Sequence, residues 1–294
     1  MSVLDQSYRR WQGEPVPHAL RVLTIPRYAL ADLFRRKAIL LVGGISVLPS
    51  LVLTAWVYVT ANAEALRQLI PGLDIPIDLL PGAQTFARVF GMQALFSIGL
   101  VLFAAPRLFT PDLAGGALAL YFSKSVRRAD YIGGKCSVLF VLVSGATWVP
   151  LLLVAGLRAA LAKPDQLAAG VSLAGSIVAS GLVLALLLTA IGSAVAVHVR
   201  RAWQVPFLLL VILGAGKQVA TVLRATTGWA VFQALSPLDL LEQARNWAFG
   251  IESTAPWRAL PHLSTAGGFV AIALWVLACA GVLFRRIRPV EVVR

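Results

Sequence analysis

The chain has 294 residues, of which 59% are hydrophobic and only 13% charged, and it carries a formal charge of +13. A soluble domain carries about a quarter charged residues, so this sequence lacks the polar side chains that a water-soluble enzyme needs to solvate its surface. Its mean hydropathy of +0.80 comes from long uncharged stretches, which cannot form a nucleic-acid surface. The positive excess therefore reads as the cytoplasmic loops of an all-α polytopic membrane protein with no nucleic-acid partner.

Residues 1–37 are polar and basic and are interrupted by Pro15, Pro17 and Pro26. They lack the short apolar core of a cleavable leader, so an uncleaved first span is expected. Within them, Pro26 to Arg36 reads as an amphipathic elbow. Leu30, Leu33 and Phe34 share one face by their i, i+3, i+4 spacing, while Arg27, Asp32 and Arg36 occupy the other. Asp32 and Arg36 also form an i,i+4 pair of favourable sign. Such a helix should lie against lipid headgroups and turn into the first span.

A membrane-crossing helix needs about 20 mostly apolar residues. Six stretches meet that length: Ala38–Thr60, Thr85–Ala105, Cys136–Leu157, Val171–Val199, Val205–Leu223 and Gly267–Phe284. Residues 38–284 are thus expected to form one six-helix transmembrane domain, followed by a tail, 285–294. Basic residues favour the segments on the N-terminal side of the membrane by about three to one, which predicts both termini in the cytoplasm of a bacterial inner-membrane protein. Two charges fall inside spans. Arg88 is near an outer edge, where snorkelling is expected. Lys217 is deeper, and a lysine at a span centre costs about 2.5–3.5 kcal/mol. Snorkelling and a role in a cavity or subunit interface both stay open for it.

The segment between spans two and three, residues 106–135, carries Thr110-Pro111-Asp112, a hydroxyl cap followed by proline and an acid. That pattern predicts a helix start there, running on to Phe122. A basic cluster follows, with Lys124, Arg127, Arg128 and Asp130, and then Tyr131 to Lys135. A lipid-contacting positive loop does not need a capped, apolar, glycine-containing helix beside its charges. The combination predicts a docking surface for a cytoplasmic partner.

The outer loop 224–266 contains a second capped start, Ser236-Pro237-Leu-Asp239, with a stop at Gly250. Trp229, Trp247 and Trp257 suit helices resting at the headgroup level. An envelope or periplasmic partner, if one exists, would bind here. The first outer loop, 61–84, has three prolines and is expected to pack beside it.

No acid falls within a predicted span, which counts against an ion-coupled carrier. His18, His198 and His262 are isolated, and neither H-E-x-x-H nor G-x-S-x-G occurs. Gly214-Ala-Gly-Lys-Gln218 lacks the first glycine and the hydroxyl of a phosphate-binding loop. Cys136 and Cys279 sit in apolar stretches as small hydrophobes. Ser176 and Ser180 in span four allow close helix approach, best read as packing within the bundle. No catalytic, cofactor or metal site is expected, so energy would come from another chain.

This order of elements resembles the permease subunits of type-2 ABC exporters. The sharpest likeness lies in residues 112–135. Asp112 takes an acid position, Gly116-Ala117-Leu118 a Gly-Thr-Leu-like triplet, and Gly134-Lys135 a terminal Gly-Lys pair. Ser125 stands where proline is usual and Arg127 where serine is usual. The chain looks closest to single-domain permeases related to copper-maturation, sodium-export and gliding-motility systems. The resemblance implies a non-catalytic subunit that forms a homodimer over two separate ATP-binding cassette ATPases. Asp112 and Gly116 would place the coupling helix, and Lys124, Arg127, Arg128, Asp130 and Lys135 would belong to the ATPase-coupling segment. The output would be export or mechanical transmission. The alternatives are an ion-coupled secondary carrier centred on Lys217, and a membrane scaffold or signal transmitter acting through the outer loop.

Overall fold

The computed structural model describes residues 18–63, 68, 81–118, 121, 127–161, 167–199, 201–251 and 260–287. Ten α-helices run through them: α1 His18–Phe34, α2 Lys37–Ala61, α3 Ala83–Ala114, α4 Arg128–Ala146, α5 Trp148–Leu161, α6 Leu167–His198, α7 Gln204–Leu210, α8 Gly216–Thr227, α9 Pro237–Phe249 and α10 Thr265–Arg286. A π-helical segment, Val211–Ala215, joins α7 to α8, and a 3-10 segment, Ala230–Leu235, precedes α9. No strand occurs among the described residues.

Six stretches are long and apolar enough to cross a membrane: α2, α3, α4 with α5, α6, α7 with α8, and α10. The chain is an all-helical, multi-pass membrane protein. Its six crossings fall where the hydropathy of the sequence puts them. α6 is the hub and packs against α3, α4, α5, α9 and α10. Its Leu184, Leu187, Leu188 and Ile191 are buried. By contrast α2 exposes Leu41, Leu51, Val52 and Tyr58, the apolar outer face of a helix that lipid covers.

Close packing depends on small residues. A Cβ at Gly192 would lie 2.6 Å from Val101, and one at Gly181 2.2 Å from Cγ of Trp148. The Ser176 hydroxyl donates to the Ala248 carbonyl of α9, so the small-residue stripe of α6 serves packing inside the bundle.

Two helix boundaries differ from the sequence reading. Thr110 caps no helix. α3 runs unbroken past Pro106 and Pro111 to Ala114. Thr110 is 4% exposed and points its hydroxyl at the Ala196 carbonyl of α6. Burial of Leu108 and Phe109 against the core keeps the chain helical, and this packing outweighs the local start signal. The stop comes at Gly115-Gly116. The Gly115 amide donates to the Pro111 carbonyl at 2.9 Å, and Gly116 takes φ +66°, the left-handed conformation that ends helices.

The third span, expected as one helix, is broken at Thr147 between α4 and α5. Pro150 has no amide hydrogen to give the Ala146 carbonyl, and its ring crowds that oxygen. Thr147 itself is fully buried and donates to the Val143 carbonyl at 2.7 Å. A break at this depth is tolerated because protein surrounds it.

Candidate functional site

The elbow forms as a helix distinct from the first span, with the bend at Arg35-Arg36 and Arg36 extended (φ −93°, ψ 117°). Leu33 is buried and Leu30 packs on the core, while Arg27, Asp32 and Arg36 face outward. Phe34, expected on the inner face, is instead 48% exposed. It is the last residue of α1. The Arg36–Asp32 pair forms at 3.8 Å between half-exposed side chains, a geometry worth little by itself.

α1 lies across the start of α4 because residue 134 is glycine. A Cβ there would sit 3.1 Å from Ile25 of the elbow. The next residue, Lys135, is 8% exposed, and its Nζ lies 3.0 Å from Asp112 Oδ2 at the end of α3. The Tyr131 hydroxyl donates to the same oxygen at 2.8 Å, and Tyr131 is fully buried. Phe109 meets the Tyr131 ring edge-on at 6.5 Å, and Tyr121 tilts against it at 5.3 Å. Burial and the Asp112 carboxylate both push the Tyr121 phenol above its ordinary value. One carboxylate therefore ties the end of the second crossing to the start of the third, with the elbow packed over the joint.

Of the residues assigned to ATPase coupling, Asp112 and Lys135 face each other inside this joint rather than outward. Gly116 supplies the turn beyond it. Arg127 is exposed, and its amide donates to the Asp130 carboxylate at 3.2 Å, so the acid closes the first turn of α4. The Arg128 guanidinium sits 5.4 Å over the Phe284 ring, linking α4 to the end of α10. Lys124 lies outside the described residues, as does most of the expected helix beyond Leu118.

At the opposite end, a second cluster forms that the sequence reading left unassembled. Helix α9 begins at Ser236, whose hydroxyl accepts from the Asp239 amide at 3.1 Å, and ends at Gly250 with φ +62°. Both limits are those expected. α9 does not merely rest beside the bundle. It packs on α6 and α10, and its Asp239 is 6% exposed. Arg224 of α8 donates to Asp239 Oδ2 at 2.6 Å, and Lys217 Nζ lies 3.4 Å from Asp239 Oδ1 and 3.7 Å from Glu242 Oε2. Arg245 Nη2 is 3.8 Å from Glu242 Oε1. Lys217 is thus a partner in an ion network, where the sequence alone left snorkelling and a cavity role open. Arg88, in the second turn of α3, is exposed as snorkelling requires. A signal for the network was present. Lys217 and Arg224 are seven residues apart on one helix face, and Asp239 and Glu242 share a face of the helix that follows.

α9 also reaches α3. A Cβ at Gly91 would lie 2.7 Å from Arg245 Nη1, and the Phe90 and Phe249 rings are 6.3 Å apart. Nearby, Gln233, Gln243 and Leu263 close a ring of three hydrogen bonds of 2.7–2.9 Å. That ring joins the 3-10 segment, α9 and the entry to α10. No group of three or more histidine, cysteine or carboxylate side chains fit to hold a metal occurs among the described residues. No protein-family model matches this chain, and no curated protein matches it either.

Proposed function

We propose that the chain is the membrane-spanning, non-catalytic permease subunit of a type-2 ATP-binding cassette system in a bacterial inner membrane. It acts as a homodimer, with both termini in the cytoplasm and separate ATPase subunits docked beneath residues 106–135. The observation that carries this reading is α3. Its 32 residues make a continuous rod of about 48 Å. One end touches the outer helix through Phe90 and Gly91, and the other holds Asp112 in the ion-paired joint. A push on the chain between α3 and α4 reaches the outer network without crossing a loop. The likeness of residues 112–135 to the coupling segment of such permeases supports the same reading, and Arg127 gives that edge an exposed positive charge.

Arg127→Glu combined with Arg128→Glu tests it. Co-purification of the ATPase should be lost, while membrane insertion and the gel-filtration profile of the permease stay unchanged. Retention of the ATPase with full ATP hydrolysis would overturn the docking assignment. Transport or transmission that collapses with the proton gradient while ATP is kept would instead favour the ion-coupled carrier.

A further inference from the structure

We infer that the cavity between the elbow and the neighbouring ends of α3 and α4 binds the phosphate headgroup of an anionic glycerophospholipid, with Arg107 as the main contact and Arg36 as the second. This stands apart from the ATPase reading and holds for the protein with or without a partner.

The cavity is about 560 Å³ and has two kinds of wall. Ile25, Leu33 and Leu108 supply apolar lining. Arg36, Arg107, Lys135, Asp32 and Asp112 supply charged lining. Charge accounting singles out one group. Lys135 is committed to Asp112 at 3.0 Å, and Arg36 is loosely held by Asp32 at 3.8 Å. Arg107 is exposed and meets no carboxylate among the described residues. The described walls therefore carry one surplus positive charge, beside a second guanidinium whose weak exposed pair can be shared. A phosphodiester carries one negative charge and offers oxygens that match a guanidinium fork.

Position selects a lipid over a free anion. α2 begins at Lys37 and the apolar run of α3 ends at Ala105, so Arg36 and Arg107 mark the same boundary of the bundle. One helical turn deeper from each arginine lies an exposed apolar side chain: Leu40 at i+4 from Arg36, and Phe103 at i−4 from Arg107, 50% and 45% exposed. A headgroup on the arginines leaves acyl chains along Leu40 and Phe103. A soluble phosphate uses neither.

The test uses full-length protein in neutral phosphatidylcholine nanodiscs, with added phosphatidylglycerol as probe and retained lipid read by native mass spectrometry. The wild type should keep phosphatidylglycerol over phosphatidylcholine. Arg107→Ala should lower that retention about tenfold, the size of losing one charge-assisted contact, and Arg107→Lys should restore part of it. Arg107 is exposed on a helix surface, so its alanine variant should fold, and gel filtration checks this. Arg88→Ala, at the far end of the same helix, should change nothing. As a second measurement on unmodified protein, glycerol 3-phosphate should not displace the lipid at concentrations where phosphatidylglycerol does. Equal retention by Arg107→Ala, equal retention of phosphatidylcholine, or displacement by glycerol 3-phosphate at matched concentration would each overturn the proposal.

Discussion

Asp112 and Lys135 meet where neither is well solvated, so each is costly without the other. Removing one partner of a buried pair typically costs about 3–5 kcal/mol, because the remaining charge stays behind unpaired. Asp112 keeps 18% of its side-chain surface, which moves the expectation to the lower end of that range. Asp112→Ala should therefore lower the unfolding temperature in detergent markedly, and it also removes the carboxylate that accepts from the Tyr131 hydroxyl. Asp112→Asn with Lys135→Met should recover most of the loss, since the amide still accepts from Tyr131 and methionine fills the lysine stem. Losses that simply add across the cycle would show that the two residues do not act as a pair. In the cluster around Asp239, burial sets the ranking. Asp239 is 6% exposed and serves two cations, whereas the Glu242 side chain is 24% exposed. Asp239→Asn should destabilise the protein more than Glu242→Gln. The reverse order would mean that Glu242 anchors the network.

At the level of elements, the crossings were legible and their interruptions were not. About twenty mostly apolar residues have few outcomes other than a span, so hydropathy located all six. The Thr110-Pro111-Asp112 signal failed because a cap is worth only about 1 kcal/mol, less than the burial of Leu108 and Phe109 beside it. Pro150 was visible in the sequence, but a proline inside an apolar run does not reveal whether the helix kinks or stops. The pairings were hidden for a different reason: spacing puts Lys217 with Arg224 on one helix face and Asp239 with Glu242 on another, but it does not report that Asp112 meets Lys135, or Lys217 meets Asp239, because returning helices bring them together. The absence of acids from the predicted spans is correct as sequence, yet α9 folds Asp239 back onto the end of the fifth crossing. The break in the third span has its own test. Trp148, the first residue of α5, lies over Gly181, where a Cβ would meet its side chain at 2.2–2.4 Å. Gly181→Ala should destabilise by about 1–3 kcal/mol, the usual range for overpacking a filled core, as read by thermal unfolding. Combined with Trp148→Leu, the same change should cost much less. An undiminished cost would place the strain elsewhere than at Trp148.

For the whole molecule, the three crossings between the joint at Asp112 and the network at Asp239 place the two on opposite sides of the membrane. The two native cysteines do not interfere with a test of this. Cys136 is partly buried against Ser193 and Cys279 is buried, so both can be replaced by alanine as a background. Ala129, beside the joint at Asp112, and Ala225, at the end of the fifth crossing, are both exposed, and Ala→Cys is a small change at either site. A membrane-impermeant maleimide should label Ala225→Cys on intact cells and reach Ala129→Cys only after permeabilisation. Labelling of both from one side would remove one crossing and, with it, the idea that α3 links two faces of the membrane. Labelling in the opposite sense would keep six crossings but invert the protein. The basic residues around α1 and α4 would then face outward, against the charge rule that orients short loops. Since Arg127 could not then meet a cytoplasmic ATPase, this one measurement decides whether the docking experiment is worth reading at all.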